Sequence, residues 1–194
     1  MKLSIVSIAV LALATATLAQ TATPAPQNVN GRKENQQDRI AQGVESGQLT
    51  AGETSRIESK EAAINHEERS MKKLDNGKLT AADRSALKQQ QNAVSNQIYT
   101  DKHNAAVQPS ANGPINGRKE NQQDRIAQGI KSGTLSPSET AKLESKQASI
   151  NHQERNMRAA DNGHLTSHDR ATLNKRQNHQ SMAIYNAKHD GRRR

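Results

Sequence analysis

Two polar constellations recur along the chain: Asn-His-x-Glu-Arg, at Asn65, His66, Glu68 and Arg69 and again at Asn151, His152, Glu154 and Arg155, and Tyr-x-x-Lys-His, at Tyr99, Lys102 and His103 and again at Tyr185, Lys188 and His189. An imidazole and a guanidinium three residues apart are neighbours on a helix, so His66 with Arg69, and His152 with Arg155, can jointly meet an anionic group. The competing roles are interhelical hydrogen bonds or a solvated face, with each tyrosine a core residue whose hydroxyl lies at the rim.

Other chemistry is poorly served. Asp-Asn-Gly-x-Leu-Thr-x-x-Asp, around Gly77 and Gly163, has the glycine, aliphatic and acid of the second half of a calcium loop. Setting Gly77 at the sixth place puts Lys72 and Leu74 where oxygen ligands belong, and Gly163 puts Arg158 and Ala160 there. His164 and His168 are four apart, but their counterparts in the first copy are Lys78 and Ala82, and a duplicated metal site would not lose its ligands in one copy. No metal and no cofactor is expected. No nucleophile elbow, phosphate loop, zinc-protease helix or nucleotide fingerprint is present, which argues against an enzyme. Nucleic acid is a poor partner for a chain with 1% aromatic residues to stack bases.

The elements that must position these residues are organised by a turn, Gly-x-Leu-Thr/Ser-x-x-Glu/Asp, found at 47–53, 77–83, 133–139 and 163–169. Glycine closes one helix in the left-handed conformation. Thr50, Thr80, Ser136 and Thr166 then cap the next, with Glu53, Asp83, Glu139 and Asp169 reaching back. Asn30 recurs as Asn116, 86 residues on, and NGRKENQQDRIAQG is identical in both copies. Within each copy the turn recurs after 30 residues, Gly47 to Gly77 and Gly133 to Gly163. The expected fold class is all-α: two tandem three-helix units, up-down-up bundles or overlapping hairpins, joined by a short linker.

Helices are expected over about 31–46, 51–75 and 81–102, mirrored in the second copy. Ile40, Ala41 and Val44 form one stripe, and Ile57, Ile64 and Met71 a seven-residue seam with Ala62, Ala63 and Leu74 beside it. Leu87, Val94 and Ile98 line the third. Leu49, Leu79, Leu135 and Leu165 should plug the bundle ends. Val94 becomes Gln180, which should loosen the last helix unless Met182 fills in. With no Phe or Trp the core must be thin, so the copies should stack on each other or on a partner.

Lys2, the apolar run 5–13 and small residues to Ala19 read as a signal peptide over 1–19. A flexible leader follows at 20–29, the first unit at 30–103, a Pro- and Gly-containing linker at 104–115, the second unit at 116–189 and a basic tail at 190–194. No later stretch is apolar enough to span a bilayer. With no cysteine there is no disulfide framework or thiol nucleophile.

The pattern RIAQGxxSGxLTxxE, then INHxER, DNGxLTxxDR and IYxxKH, resembles a set of uncharacterised exported helical-repeat proteins over nearly the whole mature chain. That resemblance implies the fold and no particular activity. A fainter likeness is to the LTxxQ periplasmic chaperones, although Glu53, Asp83, Glu139 and Asp169 stand where that motif has Gln, and Ser136 replaces one Thr. The expectation is an exported, non-enzymatic protein, secreted or periplasmic. With a net charge of +9, it would bind an anionic envelope or matrix surface, or a protein partner. The alternative is an extracytoplasmic stress chaperone or metal buffer.

Overall fold

A computed structural model describes residues 28–108 and 113–191. The signal peptide expected at 1–19, the leader to residue 27, linker residues 109–112 and Arg192, Arg193 and Arg194 lie outside the described residues. All regular structure among the described residues is helical: α1 (Val29–Glu45), α2 (Ala51–Leu74), α3 (Ala81–Lys102), α4 (Pro114–Lys131), α5 (Pro137–Ala160) and α6 (Ser167–His189).

The helix ends follow from local chemistry. All four capping boxes form, with Thr50, Thr80, Ser136 and Thr166 each exchanging hydrogen bonds with the acid three residues on. Gly47, Gly77, Gly133 and Gly163 sit at φ between 67° and 87°, the left-handed region that glycine enters without strain. Two starts lie earlier than the sequence units suggest. Asn28 caps α1 by accepting the Gly31 N–H at 2.8 Å, which draws Val29 out of the leader. Proline presets the first turn of α4, so that helix begins at Pro114, inside the expected linker.

Hydrogen bonds between helices fix their directions. Gln36 and Arg39 of α1 donate to the carbonyls of Gln91 and Ser95 of α3, and Lys102 reaches Gln42, so α1 and α3 run parallel. Gln37 donates to Glu58 and Lys33 to Glu68, which sets α2 antiparallel to α1. The same pattern holds in the second half, through Gln122 to Gln177, Arg125 to Ser181, Gln123 to Glu144 and Lys119 to Glu154. Each half therefore runs up, down, up.

Among the described residues the helices of the two halves meet in two pairs, α2 with α5 and α1 with α4. Each of these four helices packs on its own counterpart, the pattern of a twofold arrangement, while α3 and α6 do not meet. Ser55 lies where that arrangement folds back on itself: its hydroxyl donates at 2.9 Å to the carbonyl of Ala141, the residue 86 positions on. One apolar cluster crosses the boundary, from Ile40, Val44, Ile57 and Ile98 to Ile126, Ile130, Leu143 and Ile184. A smaller one holds Ile115, Ile150, Leu165 and Leu173.

The turn leucines behave as plugs to different degrees: Leu49, Leu135 and Leu165 are buried, Leu79 half-buried. Leu74, expected beside the α2 seam, is instead 83% exposed at the helix end. Gln180 is taken inside, donating at 2.8 Å to the Leu143 carbonyl, while Met182 is 63% exposed and fills nothing.

Gly43 and Gly129 are sockets for two of the plugs. A Cβ on Gly43 would fall 2.7 Å from the Leu49 side chain, and one on Gly129 would fall 2.5 Å from Leu135, while a Cβ on Gly52 would meet nothing within 4 Å. Gly43→Ala and Gly129→Ala are each expected to cost about 1–3 kcal/mol through overpacking. Gly52→Ala, early in α2, should stabilise by about 0.5–1 kcal/mol. Urea unfolding midpoints check both signs.

Candidate functional site

The C-terminal turns of α3 and α6 carry the first candidate site. Tyr99, in the last turn of α3, and His103, the residue that caps it, stack their rings with centroids 4.2 Å apart; Tyr185 and His189 do the same at the end of α6. Each histidine Nδ1 lies 2.7 Å from its tyrosine's backbone carbonyl, which pins the imidazole. The tyrosines are 61% and 57% exposed, so the alternative of buried rings with rim hydroxyls is corrected. The physical reason is register: Ile98 and Ile184 take the inward positions, and the residue after each faces outward. Lys102 reaches Gln42 at 2.9 Å, and Lys188 reaches the Arg125 carbonyl at 3.3 Å. Partial burial lowers both lysines' pKa values, and Arg39 and Arg125 beside them add to the shift. Each half thus displays an exposed tyrosine–histidine stack with a lysine on the same turn and an arginine near that lysine.

The second constellation is only partly assembled. His66, Arg69, His152 and Arg155 are exposed, and no hydrogen bond joins His66 to Arg69 or His152 to Arg155. What the motif contributes is its glutamate. Glu68 is buried and bridges Lys33 of α1 at 2.5 Å and Lys72 of its own helix at 2.6 Å. Glu154 repeats this with Lys119 at 2.6 Å and Arg158 at 2.8 Å. Burial works to raise both carboxyls, but the paired cations outweigh it and hold them below the usual value. The i, i+4 pair Glu68–Lys72 was legible as a pattern; the third partner, from α1, needed the fold.

Arg69 also lines a recess of about 530 Å³, in which Lys33, Glu61 and Asn65 face Ser136 and Pro137 at the start of α5. Glu61 is nearly inaccessible, and burial, against a weaker pull from Lys33, pushes its carboxyl up to about 7. Glu144 is pushed up to about 8 by burial, against the hydrogen bond from Gln123. Neither acid stood out in the sequence, because nothing local announces that a helical glutamate faces inward. A second, smaller recess of about 240 Å³ lies between α5 and α6.

Among the described residues, no three or more His, Asp or Glu side chains come together as a metal site, and no helix is long and apolar enough to cross a membrane. No protein-family model, curated protein or solved structure matches the chain.

The buried acids give the fold a definite pH dependence. Glu61 and Glu144 have folded values above the ordinary 4.5, so the folded chain holds more protons than the unfolded one between there and about 8. Their contribution is intact at acid pH and is lost as pH rises through that window. Glu68 and Glu154 act oppositely, losing their contribution as pH falls below the ordinary carboxylate value. Urea unfolding should show greatest stability near pH ~5. Glu61→Gln, which installs the residue standing at Gln147, should match the parent there and exceed it at pH ~9 by on the order of 3 kcal/mol.

Proposed function

We propose that the chain is an exported, non-enzymatic binding protein that grips an anionic polymer or surface of the envelope or matrix at two like sites, one on each half. The carrying observation is the exposed tyrosine–histidine stack beside a lysine and an arginine, present on both α3 and α6. An exposed ring pair suits a sugar ring or flat group, and the lysine on the same turn, with the arginine near it, favours one that bears negative charge. The net charge of +9 favours the same class of partner. Export rests on the apolar run 5–13 and the small residues before Gln20.

Two sites on one frame convert the second contact into an intramolecular event, so weak individual sites suffice for firm attachment. Binding to an anionic polysaccharide should weaken as salt rises from about 50 to 500 mM. Tyr99→Ala or Tyr185→Ala alone should weaken it about 3- to 10-fold. The double replacement should cost roughly 100-fold or more, because avidity is lost as well. Isothermal titration across salt concentrations reads all of these; salt-independent binding, or a double variant that binds like the parent, contradicts the proposal.

A further inference from the structure

The smaller recess, about 240 Å³, is lined by Lys146 and Ile150 of α5 and by Arg176, His179 and Gln180 of α6. None of these five is acidic, and three can carry positive charge. We propose that it is a pocket for one tetrahedral oxyanion group, a phosphate or a sulfate, held by Lys146, Arg176 and His179.

The first half supplies the comparison, because the same place there is built differently. Gln90 stands at the position of Arg176, Ala93 at that of His179 and Val94 at that of Gln180. Gln90 donates at 2.7 Å to Glu67, and the counterpart of that acid is the neutral Gln153. Lys60 is occupied by the Gln97 side-chain oxygen, and Gln97 in turn contacts Asp101. In the second half Gln97 and Asp101 are replaced by Ala183 and Ala187, which leaves Lys146 with no hydrogen-bond or ion-pair partner among the described residues. Relative to the first half, this spot lacks two acids, Glu67 and Asp101, and carries a guanidinium and an imidazole in addition. Every change here that alters charge alters it toward positive, which random drift on a solvated face has no reason to do.

The geometry suits the chemistry. Arg176 spends N–H groups on Gln153 and on Ser149, at 3.1 Å for the latter, which ties its guanidinium to α5 and leaves the others of its five donors for a ligand. The Lys146 ammonium and the His179 ring, both on exposed residues, supply the remaining donors. Cations from two helices converging on one cavity are what a compact, multiply charged oxyanion requires, and an Arg fork adds directional hydrogen bonds to charge attraction.

The test titrates inorganic phosphate, sulfate, acetate and chloride, at matched ionic strength, into the full chain while the His179 ring proton signals are followed by nuclear magnetic resonance. Saturable shifts with phosphate or sulfate are expected, at concentrations where acetate and chloride give none; whichever anion binds more tightly names the ester to look for. Arg176→Gln and Lys146→Ala should each weaken binding at least tenfold. Arg176→Gln installs the residue that the first half already carries at this place, so loss of binding would not reflect loss of fold. Tyr99→Ala with Tyr185→Ala should leave the phosphate response intact, which separates this pocket from the polymer-binding platforms. No saturable response, an equal response to chloride, or binding unaffected by Arg176→Gln would overturn the proposal.

Discussion

Everything in this molecule follows from building a helical core without phenylalanine or tryptophan. Small aliphatics cannot fill the space between three helices, and buried glutamine amides take the remaining positions. Gln36 reaches the Gln91 carbonyl at 2.7 Å while Gln91 reaches that of Val29 at 2.9 Å; Gln122, Gln177 and Ile115 repeat the chain at 2.8 and 2.9 Å. These bonds are directional where apolar contacts are not, so they set which turn of α1 meets which turn of α3. No protein donor reaches the amide oxygens of Gln36, Gln91, Gln122 and Gln177, and a buried acceptor left unpaired costs about 1–3 kcal/mol. A core of this kind specifies register well and stabilises weakly.

That weakness explains why each half leans on the other. The α1 and α2 faces left uncovered by α3 are covered by their own counterparts, and a surface that packs on itself needs only one set of residues to be right. Ser55 against Ala141 also marks where the symmetry breaks, since alanine cannot return the hydroxyl's hydrogen bond. Among the described residues, the backbones of α3 and α6 come close only to helices of their own half. They are free to carry what the molecule displays: the stacked Tyr–His pairs at their C-terminal ends and, on α6, the cationic side of the smaller recess.

Much of the architecture was legible because it is written in short-range chemistry. Glycine, leucine, a hydroxyl and an acid at fixed spacing announce a helix end, a plug and a new capped helix, and the bounds of α2 and α3 follow to within a residue. Less legible was anything decided at a distance. Gly43 and Gly129 look like helix weaknesses in sequence and are sockets for Leu49 and Leu135 in the fold. Tyr99 follows Ile98 in a short apolar pair, and only the packed register shows which of the two faces in. Glu58, Glu61 and Glu144 read as solvated helix residues until α2 and α5 close over them. The smaller recess is marked in sequence only by the charge differences between the halves at Gln90/Arg176, Ala93/His179 and Glu67/Gln153, which no local pattern ties to one place.

The claim on which the functional reading depends is that the halves form one body, so that the two platforms are held at a fixed separation rather than on tethered, independent units. Since the chain lacks cysteine, single cysteines at the exposed positions Thr100 and Asn186, beside the two tyrosines, can be spin-labelled without interference. Pulsed electron–electron resonance on the doubly labelled chain measures the distance between them directly. One narrow distance distribution, unchanged by dilution of the protein, is the predicted result; a broad distribution, as two bundles on a flexible connection would produce, would contradict it.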